Sequence, residues 1–209
     1  MNKFNIVYGD TSRSIEEIDL AHMDPTIGAT VSSASSTDYR GYYISRLQDF
    51  DGDNFDDLAA TAYQYSTNVG GLWLVRGGAT RWSGSITLDA ASPIARTSWM
   101  AGTAASNFGF AACTAGDFDN DGFGDIVVGS QFAATVIYGN PNGQLPSSMS
   151  AIDGTNGFLI TDGVPTFSYY GLAGGFDFNK DGYSDIGIGC AGYNTNAGRA
   201  YVLFGAPRS

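Results

Sequence analysis

Asp117-Phe118-Asp119-Asn120-Asp121-Gly122-Phe123-Gly124-Asp125 places four carboxylates at positions 1, 3, 5 and 9 of a nine-residue segment. A hard cation such as Ca²⁺ takes six to eight oxygen ligands at about 2.3–2.6 Å. In a tightly wound loop alternate side chains point inward, so Asp117, Asp119 and Asp121 can converge on one ion. Gly122 lets the backbone turn where a Cβ would clash. The Phe123 carbonyl is then free to be a further ligand, and Asp125 closes the shell. The pattern recurs as Asp49-Phe50-Asp51-Gly52-Asp53-Asn54-Phe55-Asp56-Asp57 and as Asp177-Phe178-Asn179-Lys180-Asp181-Gly182-Tyr183-Ser184-Asp185. The candidate ligands are therefore Asp49, Asp51, Asp53, the Phe55 carbonyl and Asp57; their counterparts from Asp117 to Asp125; and Asp177, Asn179, Asp181, the Tyr183 carbonyl and Asp185. Asn54 replaces the glycine of the first copy, and Asn is the next best residue for a left-handed turn. Asn179 trades a charge for a neutral oxygen. The expectation is three Ca²⁺ sites.

Each loop is followed by a short apolar run: Leu58-Ala59-Ala60, Ile126-Val127-Val128 and Ile186-Gly187-Ile188. These runs read as buried strands. A strand ending in glycine also recurs, at Gly9, Gly77, Gly139 and Gly205. Repeats of a little over sixty residues follow, each with four strands. Strand 1 enters the acidic loop, strand 2 leaves it, and strand 3 ends in the glycine. Strand 4 is placed at Ile18-Asp19-Leu20, Ser85-Ile86-Thr87-Leu88 and Phe158-Leu159-Ile160. A 3.6-residue apolar period is not sustained anywhere, apart from a turn at Ser14-Ile15-Glu16-Glu17. Short strands, glycine-rich turns and a four-strand repeat are the pattern of β-propeller blades. The division expected is 1–31 (strands 3 and 4 of a split blade), 39–98 and 107–160 (complete blades), and 168–209 (strands 1 to 3 of the last).

The chain has 209 residues, 21 acids, 10 bases and a formal charge of −11. Four, four and three of the acids are candidate ligands in the three loops, so the acidity is largely that of the loops. It argues against nucleic acid as a partner, which wants a basic face. No stretch approaches the ~20 apolar residues of a membrane span. Met1 to Ile6 lacks the apolar core of a signal peptide. Cys113 and Cys190 read as two buried free thiols.

Phe108-Gly109, the Asp117–Asp125 loop and Val128-Gly129-Ser130 together resemble an FG-GAP repeat, the blade unit of the integrin α-subunit β-propeller and its microbial relatives. Ile188-Gly189-Cys190-Ala191 is a looser match, and Leu58-Ala59-Ala60-Thr61-Ala62 the poorest. The resemblance implies an all-β propeller at the cell exterior or surface. It also implies metal loops that join strands 1 and 2 and brace the blades, and ligands taken by the opposite face. An EF-hand is excluded, because position 12 is Ala60, Val128 or Ile188 rather than a bidentate Glu.

A catalytic centre is hard to assemble: His22 is the one histidine, and there is no Gly-x-Ser-x-Gly elbow or zinc spacing. The expectation is a non-catalytic recognition or adhesion module for a protein or carbohydrate ligand. Candidate ligand residues are Tyr65, Asn68, Tyr193 and Asn194, where flat rings adjoin hydrogen-bonding groups. Trp73, Trp82 and Trp99 are expected to pack blade to blade. A lectin, a polysaccharide-lyase-like enzyme and an excised or engineered propeller fragment are the alternatives. Three and a half blades cannot comfortably close a ring, so a homo-oligomer is expected, most simply a two-fold dimer.

Overall fold

The computed structural model describes residues 3–9, 17–33, 39–88, 97–161 and 169–208. Among these, fourteen strands form four sheets. The third sheet shows the unit most completely. Strands β8 (Ala111–Gly116), β9 (Asp125–Gly129), β10 (Ala134–Ile137) and β11 (Gly157–Ile160) run as an antiparallel meander in chain order. β9 is buried along its whole length. Its side chains alternate between two cores: Ile126 and Val128 join one apolar cluster, Val127 another. That is why the run is apolar throughout rather than alternating.

The second sheet holds β3 (Ile44–Arg46), β4 (Leu58–Thr61), β5 (Gly71–Val75) and, as its fourth strand, β7 (Thr97–Ala101). This corrects the expectation that Ser85–Leu88 closes the blade. Those residues form β6 (Gly84–Leu88), which pairs in parallel with β2 (Gly28–Ser33) in the first sheet, where β2 also pairs antiparallel with β1 (Lys3–Val7). Alternation marks β6 as a strand, with Ile86 and Leu88 buried and Ser85 and Thr87 exposed. Each of its residues pairs with one 55 positions earlier in the sequence, and no local pattern names that partner. The strand placed at Ile18–Leu20 is likewise displaced to β2. Asp19 and Asp24 bind backbone N–H groups two residues on, at Ala21 and Thr26, and these turns occupy the segment instead. The turn expected at Ser14–Glu17 falls mostly outside the described residues.

The fourth sheet contains β12 (Tyr169–Phe176), β13 (Asp185–Cys190) and β14 (Arg199–Leu203). Three apolar clusters fill the three junctions between successive sheets. Trp73 is buried in the first of them, with Trp82 packed on its edge, which supports the packing role. Both cysteines are free thiols. No helix among the described residues is long and apolar enough to cross a membrane.

Candidate metal centre

Each acidic loop is a backbone-bound turn. The position-1 carboxylate receives the N–H groups of positions 5 and 6: Asp53 and Asn54 to Asp49, Asp121 and Gly122 to Asp117, Asp181 and Gly182 to Asp177. The position-5 carboxylate receives the N–H of position 7, from Phe55, Phe123 or Tyr183. These bonds orient the peptide units whose carbonyls were proposed as ligands. Position 6 is left-handed in all three copies, at Asn54 (φ 68°), Gly122 (φ 93°) and Gly182 (φ 93°). Position 4 is left-handed too, at Gly52, Asn120 and Lys180, a requirement the sequence reading missed.

Position 9 has a structural role of its own. Asp57, Asp125 and Asp185 are fully buried. One oxygen of each accepts the N–H of loop position 2, from Phe50, Phe118 or Phe178. The other accepts the N–H of the glycine beyond strand 3: Gly77 to Asp57 at 2.8 Å, Gly139 to Asp125 at 2.8 Å and Gly205 to Asp185 at 3.0 Å. This explains the recurrent glycine. A Cβ on Gly139 would lie 2.6 Å from the Gly124 carbonyl oxygen and 2.9 Å from that of Phe50. Gly139→Ala is expected to cost about 1–3 kcal/mol by overpacking, read from the urea midpoint; a midpoint equal to wild type would exclude this close approach.

The loops also tie successive sheets together. Gly124 N–H donates to the Asp49 carbonyl and Asn140 N–H to that of Phe50. One sheet further on, Ser184 N–H donates to the Asp117 carbonyl and Ala206 N–H to that of Phe118. The four bonds are the same bonds made twice, and they place the acidic loops along one side of the stack.

The arrangement suits a hard cation. Two groups of carboxylates, Asp49/Asp51/Asp57 and Asp117/Asp119/Asp125, each bring ligand atoms within 4.8 Å of one another. Asp119 Oδ1 is buried without a hydrogen-bond partner. A carboxylate oxygen in that state is costly unless a cation meets it. Burial, and then the neighbouring carboxylates, push Asp125 up to about 8; two backbone hydrogen bonds oppose the rise. Burial likewise pushes Asp57 up to about 6. Crowded acids that resist ionising alone are what a divalent cation stabilises. The third loop keeps the turn, but Asn179 Nδ2 donates to Asp181.

A family model for the FG-GAP repeat matches residues 45–75 and 108–145. This chain carries FG-GAP repeats. Integrin alpha-PS2 of Drosophila melanogaster is 29% identical over 73% of the chain, and integrin alpha-6 of Gallus gallus is 31% identical over 71%. The aligned part of the chain spans only 11% and 13% of those proteins. The matched FG-GAP residues cover the first two acidic loops, and the third loop at 177–185 lies beyond them.

On the side away from the acidic loops, the residues proposed for ligand binding lie in the links between strands 2 and 3. Tyr65 and Asn68 bound the short turn α1 (Tyr65–Asn68), and Tyr193 and Asn194 open α2 (Tyr193–Asn196). By position Asn68 corresponds to Asn196, and Asn194 to Ser66. Tyr65 stands edge-on to Trp73 at 5.3 Å, with the Arg40 guanidinium over both rings. Arg199 stacks on Tyr193 at 3.5 Å. Both tyrosines are thus partly engaged within their own sheets. Nearby, Tyr39, Tyr42, Tyr63 and Phe110 form an aromatic cluster that sequence reasoning did not single out. Its members come from separate links, 21 to 71 residues apart in sequence. Of the segments between strand 4 and the next strand 1, residues 34–38 and 162–168 lie outside the described residues. His22 is exposed and bonds Asp19, as a surface histidine does.

Proposed function

We propose that the chain is a non-catalytic, Ca²⁺-stabilised FG-GAP propeller segment that recognises a protein or glycan at the cell exterior and associates with a further blade. The observation that carries the assembly is one loop position seen at two junctions and on the open face of the fourth sheet. Phe50 is 0% exposed and Phe118 5%, each covered by the next sheet, but Phe178 is 68% exposed. Val136 is buried while its counterpart Val202 is exposed, and Phe204 is 49% exposed where Tyr138 packs into the core. The outer face of the fourth sheet therefore repeats the surface that the third sheet buries, and the occupant it matches is another blade. A second copy of the chain is the simplest source. The outer face of the first sheet, with Lys3, Asn5, Thr30, Ser32, Ser85 and Thr87 around Val7, is mostly polar and does not match. The contact is therefore assigned to the outer face of the fourth sheet.

Light scattering after size exclusion in Ca²⁺ tests this. A discrete dimer is expected, reduced to monomer by Phe178→Ser with Phe204→Ser. A wild-type monomer across the accessible concentration range would overturn self-association.

Recognition is assigned to the side bearing Tyr39, Tyr42, Tyr63 and Phe110. Tyr39 and Tyr42 are exposed there, and aromatic rings that keep a polar tip suit both peptides and sugars. A glycan array and a binding screen against extracellular matrix proteins separate the adhesion reading from the lectin reading. Turnover of polyuronides with and without EDTA is expected to be absent.

A further inference from the structure

The acidic loops differ in a way that their ligand pattern does not show. At loop 117–125 the guanidinium of Arg208, on the segment that follows β14, reaches back 89 residues in sequence. Its Nε donates to Asp119 and its NH2 nitrogen to Asp121, and the group lies 4.2 Å over the Tyr138 ring. Asp119 has a fully buried side chain, and its other oxygen is the orphaned Oδ1. A single planar cation thus bridges two carboxylates that face the same ion site. At loop 49–57 an arginine also reaches position 3, but more loosely and with one bond: Arg76 lies 3.4 Å from Asp51 and is shared with the Asn142 carbonyl. In the third loop position 3 is Asn179, which bonds Asp181 instead. The position-3 residue is acidic in the two loops where an arginine meets it.

We propose that Arg208 is a built-in competitor for the cation at loop 117–125. The proposal rests on the reading of that loop as a divalent-cation site. Without the cation, Arg208 neutralises Asp119 and Asp121 and holds the loop closed. A divalent ion bound to the same carboxylates meets a fixed positive charge at close range, in a site where Asp119 is shielded from water, and like charges there repel strongly. Binding therefore displaces the guanidinium. The same segment carries Gly205 and Ala206, whose N–H groups bond Asp185 and the Phe118 carbonyl and join the fourth sheet to the third. Occupancy of the middle loop is thereby linked to the junction that leads to the exposed apolar face.

The test is a Ca²⁺ titration of the whole chain followed by backbone amide NMR. The Gly122 amide reports loop 117–125, Gly182 the third loop and Asn54 the first, because each N–H is bonded to its own position-1 carboxylate. Arg208→Gln is expected to tighten binding at Gly122 about tenfold and to leave the Gly182 curve unchanged. Arg208→Lys keeps the charge but not the fork and should fall between. In the unsubstituted chain the Arg208 Nε–H signal, assigned by its loss in Arg208→Gln, should be protected without metal and disappear as Gly122 saturates. Identical Gly122 curves in both proteins, or an Nε–H signal that persists at saturation, would overturn the competition while leaving the metal site standing. Amides of all three loops that ignore Ca²⁺ in both proteins would overturn the metal reading and this proposal together.

Discussion

Asp125→Ala is expected to lower the melting temperature by roughly 10 °C or more, even in EDTA. The carboxylate is fully buried and accepts the Phe118 and Gly139 N–H groups, both at 2.8 Å. Truncation leaves two buried donors without partners, each worth about 1–3 kcal/mol. It also unties strand 3 from the acidic loop. For a chain of this size 1 kcal/mol moves the melting temperature by about 2–4 °C. Asp125→Asn keeps one acceptor oxygen and should fall between. Measuring in EDTA separates the clamp from metal binding. If Asp125→Ala melts normally there, the residue is a metal ligand and nothing more, and the glycine clamp is wrong.

The second large effect is a pH trend that reverses with metal. Burial holds the folded-state values of Asp125 at about 8 and of Asp57 at about 6, against 3.8 for an unperturbed carboxyl. A carboxyl raised in the folded state favours folding while it is protonated in both states. That contribution is complete below about pH 4 and is lost as the pH rises through the folded-state value. In EDTA the melting temperature should therefore fall from about pH 5 to about pH 8, by roughly 5–10 °C. Bound Ca²⁺ favours the ionised form, so millimolar Ca²⁺ should raise stability most at the alkaline end. A site at a hundred times its dissociation constant contributes about 2.7 kcal/mol. Differential scanning fluorimetry at three pH values, with Ca²⁺ and with EDTA, checks both signs. A metal-free protein that grows more stable toward pH 8 would contradict the burial of these acids.

The local chemistry was legible in the sequence because it is local. The nine-residue loops, their left-handed position 6, the buried strand behind each and the four-strand order of the third sheet depend on residues a few positions apart. The turn chemistry and β-branched runs announce them, down to Asn54 standing in for glycine. The tertiary structure decided what depends on distant partners. It gave Asp57, Asp125 and Asp185 a second role, since the glycine each one holds lies 14 to 20 residues on. It sent β6 to β2 rather than to its own sheet, because an alternating strand identifies a face but not a neighbour. It set Arg208 on Asp119 and gathered Tyr39, Tyr42, Tyr63 and Phe110 from separate links. Above all it showed which copy of one repeated surface is covered. Phe50, Phe118 and Phe178 read alike in the chain, and only the packing of one sheet on the next buries the first two and leaves the third in water.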